Sequence, residues 1–119
     1  VFIMRYSEKL RAALPDKKIV FSVDCAVFAA IKFESIDIRL IDFAFLSPHK
    51  NLGGAESCGV LVARKSLMAS SKPTFPGGGT VRFVKGYSKD DVMYEVDIFS
   101  REIAGTPPYF GFYRAALSF

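Results

Sequence analysis

The chain has 119 residues, half of them apolar and twelve of them Phe, which is enough to bury a core and is not the composition of a disordered segment. Its 16 Lys and Arg against 12 Asp and Glu leave a net charge of +4, but the excess is split evenly between residues 1–50 and 51–119, and basic residues never run longer than the pairs Lys17-Lys18 and Arg64-Lys65. A focused nucleic-acid footprint is not expected from such a spread, and the longest apolar stretch, Ile19 to Ile31, is interrupted by Ser22 and Asp24 and falls short of a membrane span.

In chain order, Ile3, Tyr6, Leu10, Ala13 and Leu14 recur at helical spacing, and Pro15 in the turn Pro15-Asp16-Lys17 stops that pattern. The run Ile19-Val20-Phe21-Ser22-Val23 is β-branched and nearly all apolar, as a strand covered on both faces would be, and it ends at Asp24. A second such run, Ile41 to Leu46, ends at Ser47-Pro48. The residues between them carry no strong turn signal and are numerous enough for the crossover that two parallel neighbours need. Cys58 to Ala63 is a third apolar run after the short loop Asn51-Leu52-Gly53-Gly54, short enough for an antiparallel return, so a mixed sheet is expected.

From Ser71 to Asp91 the composition turns to Gly, Pro, Lys and Ser around Gly77-Gly78-Gly79, which reads as an irregular surface segment. Thr106 followed by Pro107 and Pro108 reads as the cap of a last helix, with Phe112, Ala115, Ala116 and Phe119 on one face. The chain starts at Val1 without an initiator Met or a signal pattern and stops at Phe119 inside that helical pattern, so it reads as part of a larger domain. Cys25 and Cys58 lack CxxC or metal-ligand spacing and read as a reduced, intracellular pair filling core or strand-end positions, with no metal site.

In an open α/β sheet, ligands collect at the carboxyl ends of parallel strands, and those ends here supply Asp24 from one strand and Ser47, His49 and Lys50 from the next. An aldehyde cofactor needs a lysine amine for a Schiff base, an acid beside a pyridine nitrogen and donors for a phosphate. This set offers one of each. The residues alone leave open the plainer reading, a solvated loop lysine and an Asp that caps a turn.

The segments Asp24-Cys25-Ala26, Asp42 to Gly54 with Ser47-Pro48-His49-Lys50 at its centre, Gly59-Val60-Leu61-Val62, Pro76-Gly77-Gly78-Gly79-Thr80-Val81 and Gly105-Thr106-Pro107 stand in order. Together they resemble the class V aminotransferase and cysteine desulfurase group of pyridoxal-phosphate enzymes, including the interval of 26 residues from Asp24 to Lys50. The resemblance implies an α/β fragment of the large, cofactor-binding domain of fold type I, with a mixed, mostly parallel sheet flanked by helices. It implies pyridoxal 5'-phosphate as cofactor, Lys50 as the Schiff-base lysine and proton shuttle, Asp24 on the pyridinium, and Ser47 and His49 on the phosphate. Thr106 would reach the phosphate held by the other subunit of a homodimer, and the substrate would be an amino acid. The ring-stacking residue would lie before Val1, and the carboxylate-binding Arg, the mobile desulfurase Cys and the small domain after Phe119.

Two positions depart from the group. Val27 stands where desulfurase-like members often place a Gln, and Ile103 where many carry a Glu. The leading chemistry is a carbon–sulfur lyase, with a transaminase or another β-eliminating lyase as alternatives. Rivals from other classes are an inactive scaffold and a phosphate- or nucleic-acid-binding module resting on the Gly-rich segment and a pI near 9.2. No Walker loop supports the last.

Overall fold

A computed structural model describes residues 2–86 and 91–119. The chain divides into two compact units, Val1–Arg64 with Pro108–Phe119, and Lys65–Pro107.

The first unit opens with helix α1, Phe2–Ala13, which carries Arg11 in its last turn where the helix dipole favours a cation. The chain leaves it through a turn in which the Lys17 amide bonds the Leu14 carbonyl at 3.1 Å, with Pro15 unable to extend the helix. The face of α1 turned inward is not the apolar stripe read from the sequence. Tyr6 and Leu14 are exposed, whereas Ser7 is fully buried and donates from its hydroxyl to the Leu40 carbonyl at 2.8 Å.

Strand β1, Ser22–Asp24, runs parallel to β2, Phe43–Leu46, and β3, Val60–Ala63, returns antiparallel to β2, giving the order β1-β2-β3. The sheet is mixed, with β2 at its centre. The crossover from β1 to β2 contains the short helix α2, Phe28–Lys32, and a single 3-10 turn at Phe33–Ser35. Strand β1 is shorter than the apolar run Ile19–Val23, and it is covered on one face rather than two. The bonds between these two chain segments begin at Phe21, whose carbonyl accepts the Asp42 and Phe43 amides at 2.9 and 3.0 Å, and Val20 before it is left 46% exposed. The covered face packs Val23, Ala44, Leu46 and Val60 with Cys25, Ala29, Ile36, Leu40 and Ile41. On the other face Asp24, Phe45 and Leu61 are exposed, as the two-residue period of a strand requires.

A buried acid ties the amino-terminal edge of this sheet together. Asp42 accepts the Phe21 amide at 2.8 Å, pairs with the Arg64 guanidinium at 2.7 Å, and pairs with Arg11 of α1, whose guanidinium also stacks 5.0 Å over the Phe21 ring. Burial pushes the Asp42 carboxyl up, but the Phe21 amide and the Arg64 and Arg11 guanidiniums outweigh it and hold it below its ordinary value.

The last helix, α5, Tyr109–Ala116, starts three residues later than the cap read at Thr106. Its cap position is Pro108, without a side-chain capping bond. Thr106 precedes a proline and is thereby biased away from helical angles, and two consecutive prolines delay the first turn. Of the expected inward face, Ala115 is buried and Phe112 half-buried, whereas Ala116 and Phe119 are exposed.

The second unit contains helix α3, Lys65–Met68, the antiparallel hairpin of β4, Val81–Val84, and β5, Val92–Tyr94, and helix α4, Ile98–Glu102. Strand β4 lies inside the segment Ser71–Asp91 read as irregular, so that reading is corrected here. The hairpin is closed by the Lys85 amide on the Asp91 carbonyl at 2.9 Å and carries the cross-strand ion pair Arg82–Glu95 at 3.6 Å. Helix α4 is capped by Asp97, which accepts the Ser100 amide at 2.8 Å.

Candidate active site

The parallel register sets the site. Asp24 lies opposite Phe45, and the ladder continues one residue further through the Cys25 amide on the Phe45 carbonyl at 2.9 Å. Both strands therefore end at the same edge, about 4.8 Å apart. Asp24 closes β1 and Ser47 follows β2 directly.

Each strand end is stabilised locally. Asp24 Oδ1 accepts the Ala26 amide at 2.8 Å, so one carboxylate oxygen shapes the turn into α2 while the residue stays exposed. The plainer reading of Asp24 as a turn cap is thus correct for that oxygen, and it leaves the other free to meet a ligand. After β2 the chain makes a single 3-10 turn, Pro48–Lys50, with proline at its start. The Lys50 amide bonds the Ser47 carbonyl at 2.9 Å, which folds Lys50 back toward the strand end. The Ser47 hydroxyl makes no capping bond to this turn. Pro48 is buried, and His49 and Lys50 are exposed.

The loop beyond Lys50 is held tightly. The Asn51 and Gly53 amides both bond the Pro48 carbonyl, at 3.0 and 3.1 Å. A Cβ on Gly53 would stand 2.8 Å from that carbonyl oxygen and 3.1 Å from the Ser57 Cβ, so only glycine lets the loop close on itself. Helix α5 packs on the Pro48–Lys50 turn, accepts the Cys58 amide at Gly111 (3.3 Å), and through Arg114 reaches the Ala55 carbonyl and Glu56. The loop after the lysine is thereby braced from both sides.

Asp24, Ser47, His49 and Lys50 come together at one strand-end edge of the first unit. Thr106 lies in the second unit, exposed, in the bend before α5. Val27 stands 60% exposed in the turn after β1. Cys25 is buried, and its thiol is pushed up by burial and by the neighbouring Asp24 carboxylate, which keeps it protonated. Of two depressions among the described residues of the first unit, neither is lined by Asp24, Ser47 or His49. One, about 380 Å³ and open, lies beside Lys50, Asn51 and α2; the other, about 170 Å³, lies beside Asp42 and Arg64.

Several residues that shape the site carry no readable functional signal in sequence. Gly53 is one, since its need arises from a contact with Pro48. Asn51 is another: its Oδ1 is buried without a hydrogen-bond partner directly after Lys50. In the second unit the Gly77 and Thr80 amides are engaged within their own turn, which removes them from any amide cradle for a phosphate. Among the described residues no helix is long and apolar enough to cross a membrane.

The donor set fits pyridoxal phosphate: an amine, a carboxylate with one oxygen uncommitted to its turn, and a hydroxyl and an imidazole share one edge. The chain matches the sequence profile of the family described as aminotransferase class V over residues 4–119. No curated protein matches it. Fourteen chains of solved structures do. One is the crystal structure of the cysteine desulfurase CsdA (S-sulfonic acid) from Escherichia coli, 29% identical, covering 84% of this chain with a TM-score of 0.60. The present chain spans 23% of that desulfurase's length. A family match over nearly the whole chain and a mixed α/β sheet shared with a desulfurase agree: the chain belongs to the aminotransferase class V family of pyridoxal-phosphate-dependent enzymes.

Proposed function

We propose that the protein carrying this chain acts on an amino acid through pyridoxal phosphate, as a cysteine desulfurase-like carbon–sulfur lyase, and that these residues form the central part of its cofactor domain. The observation that carries this reading is the parallel register of β1 and β2, which brings Asp24 and the Ser47–Lys50 turn to one edge. Pyridoxal phosphate supplies an electron sink for charge that develops at the substrate α-carbon.

The residues divide the work by chemistry. The Lys50 amine attaches the cofactor and moves a proton at the substrate α-carbon. The Asp24 carboxylate keeps the pyridine nitrogen protonated by placing a negative charge beside it. Ser47 and His49 donate to the cofactor phosphate, and Thr106 donates to the phosphate held by the partner subunit of a homodimer. Val27 offers no hydrogen bond to the cofactor's phenolic oxygen, so that oxygen's charge is held by fewer donors than a Gln would give. Two thiols without a partner suit a reducing, intracellular compartment.

Cys58 is not the sulfur-accepting residue. It precedes β3, is half-buried, and has its amide bonded to Gly111, whereas a cysteine that must travel between substrate and acceptor belongs on a mobile loop.

Borohydride reduction of the full-length protein reconstituted with pyridoxal phosphate, followed by peptide mapping, tests the reading. The label is expected on Lys50. A label on Lys18 or Lys72, or none, removes Lys50 from its role. Formation of alanine from cysteine, with sulfide released when a thiol reductant is present, distinguishes the desulfurase from a transaminase, which leaves a keto acid.

A further inference from the structure

Thr80 follows three glycines in a segment whose composition reads as loose surface, yet it is fully buried. Its hydroxyl accepts the Gly77 amide at 3.0 Å and donates to the Gly77 carbonyl at 2.7 Å, while its own amide donates to that carbonyl at 3.1 Å. A hydroxyl used as donor and acceptor at once is fixed in rotation. Its carbonyl in turn accepts the Glu95 amide at 2.9 Å, which anchors the turn to the residue after β5.

The far side of the same turn touches the two residues before Thr106. The Gly105 amide donates to the Gly78 carbonyl at 2.8 Å, with Gly105 at a φ of +79° that favours glycine. Gly77 packs so close to Ala104 that an added Cβ would lie 3.1 Å from the Ala104 Cβ. One stapled turn therefore sets the position of the backbone that leads into Thr106, and all of these contacts lie within the second unit.

We infer that Thr80 is a positioning residue for the cofactor phosphate: it holds the Gly77–Thr80 turn rigid so that the Gly105-Thr106 segment presents the Thr106 hydroxyl at hydrogen-bonding distance. This rests on the proposed role of Thr106. A hydroxyl contact to a phosphate tolerates only a few tenths of an ångström, so loss of the staple acts on affinity for the phosphate group in particular.

The test compares dissociation constants of pyridoxal phosphate and of pyridoxal, which lacks the phosphate, on the full-length apo-dimer. Their ratio isolates the phosphate contribution, and sedimentation confirms that each variant remains a dimer. Thr106→Ala is expected to reduce the ratio about tenfold, the worth of one hydrogen bond to a charged group. Thr80→Val should reduce it similarly, Thr80→Ser should restore it, and the Thr80→Val/Thr106→Ala double variant should lose no more than Thr106→Ala alone. Should Thr80→Val prevent folding, Gly77→Ala, which pushes on Ala104, is expected to give a smaller loss of the same ratio. A full ratio in Thr80→Val, or in Gly77→Ala where that variant takes its place, beside a reduced ratio in Thr106→Ala overturns the inference alone, and so do multiplicative losses in the double variant. An unchanged ratio in Thr106→Ala removes the phosphate role of Thr106 itself and the inference with it.

Discussion

The two units are held together by different physics. In the first, the buried side chains are mainly apolar, with Cys25, Ala29, Ile41, Ala44 and Leu46 at the centre, and the buried acid Asp42 pins the edge opposite the strand-end site. In the second, the buried residues among those described are Thr80 and Arg101, both polar, and order comes from directed hydrogen bonds. Arg101 illustrates the difference: its guanidinium donates to the Met68 carbonyl at 2.6 Å, while its Nε lies 3.5 Å from Glu102, an ion pair too long for a hydrogen bond. Apolar burial is non-directional and tolerates small shifts, whereas a hydrogen-bonded turn fixes a position or fails. The first unit carries Lys50 on a braced loop; the second carries Thr106 directly after a backbone held by a stapled turn.

The largest expected effect tests the apolar half of this contrast. Leu46→Ala removes a side chain that is 5% exposed directly before Ser47 and should destabilise the first unit by about 3 kcal/mol. Denaturant unfolding followed by hydrogen exchange checks this. Protection should fall in β1, β2 and β3 and persist in the β4–β5 hairpin. Equal loss in both units would show that the contrast is false.

Asp42→Asn comes next. A fully buried pair broken on one side costs about 3–5 kcal/mol, but Arg11 and Arg64 are 33% and 39% exposed and their charges are screened, so about 2 kcal/mol is expected. The pH dependence carries the sign. Asp42 has a folded-state value below its unfolded one, so its contribution is complete above the unfolded value near 4 and is lost as pH falls through the lower folded value. The wild type should therefore converge on the Asn variant at acid pH. A gap that stays constant down to low pH would assign the difference to packing.

The smallest effect is in the second unit. Asp97→Ala removes the α4 cap and should be visible as faster exchange at the Ser100 amide with no change in the first unit. Its carboxyl is held below the usual range by the Ser100 amide and hydroxyl, so the protection should also weaken in acid.

The same contrast explains what the sequence reveals. Apolar runs ending at Asp24 and Ser47 mark the parallel pair and its carboxyl edge, because burial leaves an apolar pattern. The candidate site is read from that edge and from the Ser47-Pro48-His49-Lys50 match. Asp42 carries no such mark, since its partners Arg11 and Arg64 lie 31 and 22 residues away. The β4–β5 hairpin is hidden by the Gly and Pro around it, and Thr80 looks like any polar loop residue until its bonds to Gly77 are known. A helix cap at Thr106 fails for a local reason, the prolines that follow it.

In the proposed function, the shared edge of β1 and β2 would set Asp24 beside the cofactor ring carried by Lys50. Nitrogen NMR of the full-length protein loaded with pyridoxal phosphate labelled at the ring nitrogen tests it most directly. The account predicts a protonated ring nitrogen in the wild type and a neutral one in Asp24→Asn, with turnover lowered by orders of magnitude. A ring nitrogen in the same state in both proteins, with turnover within about twofold, would show that Asp24 only shapes its turn.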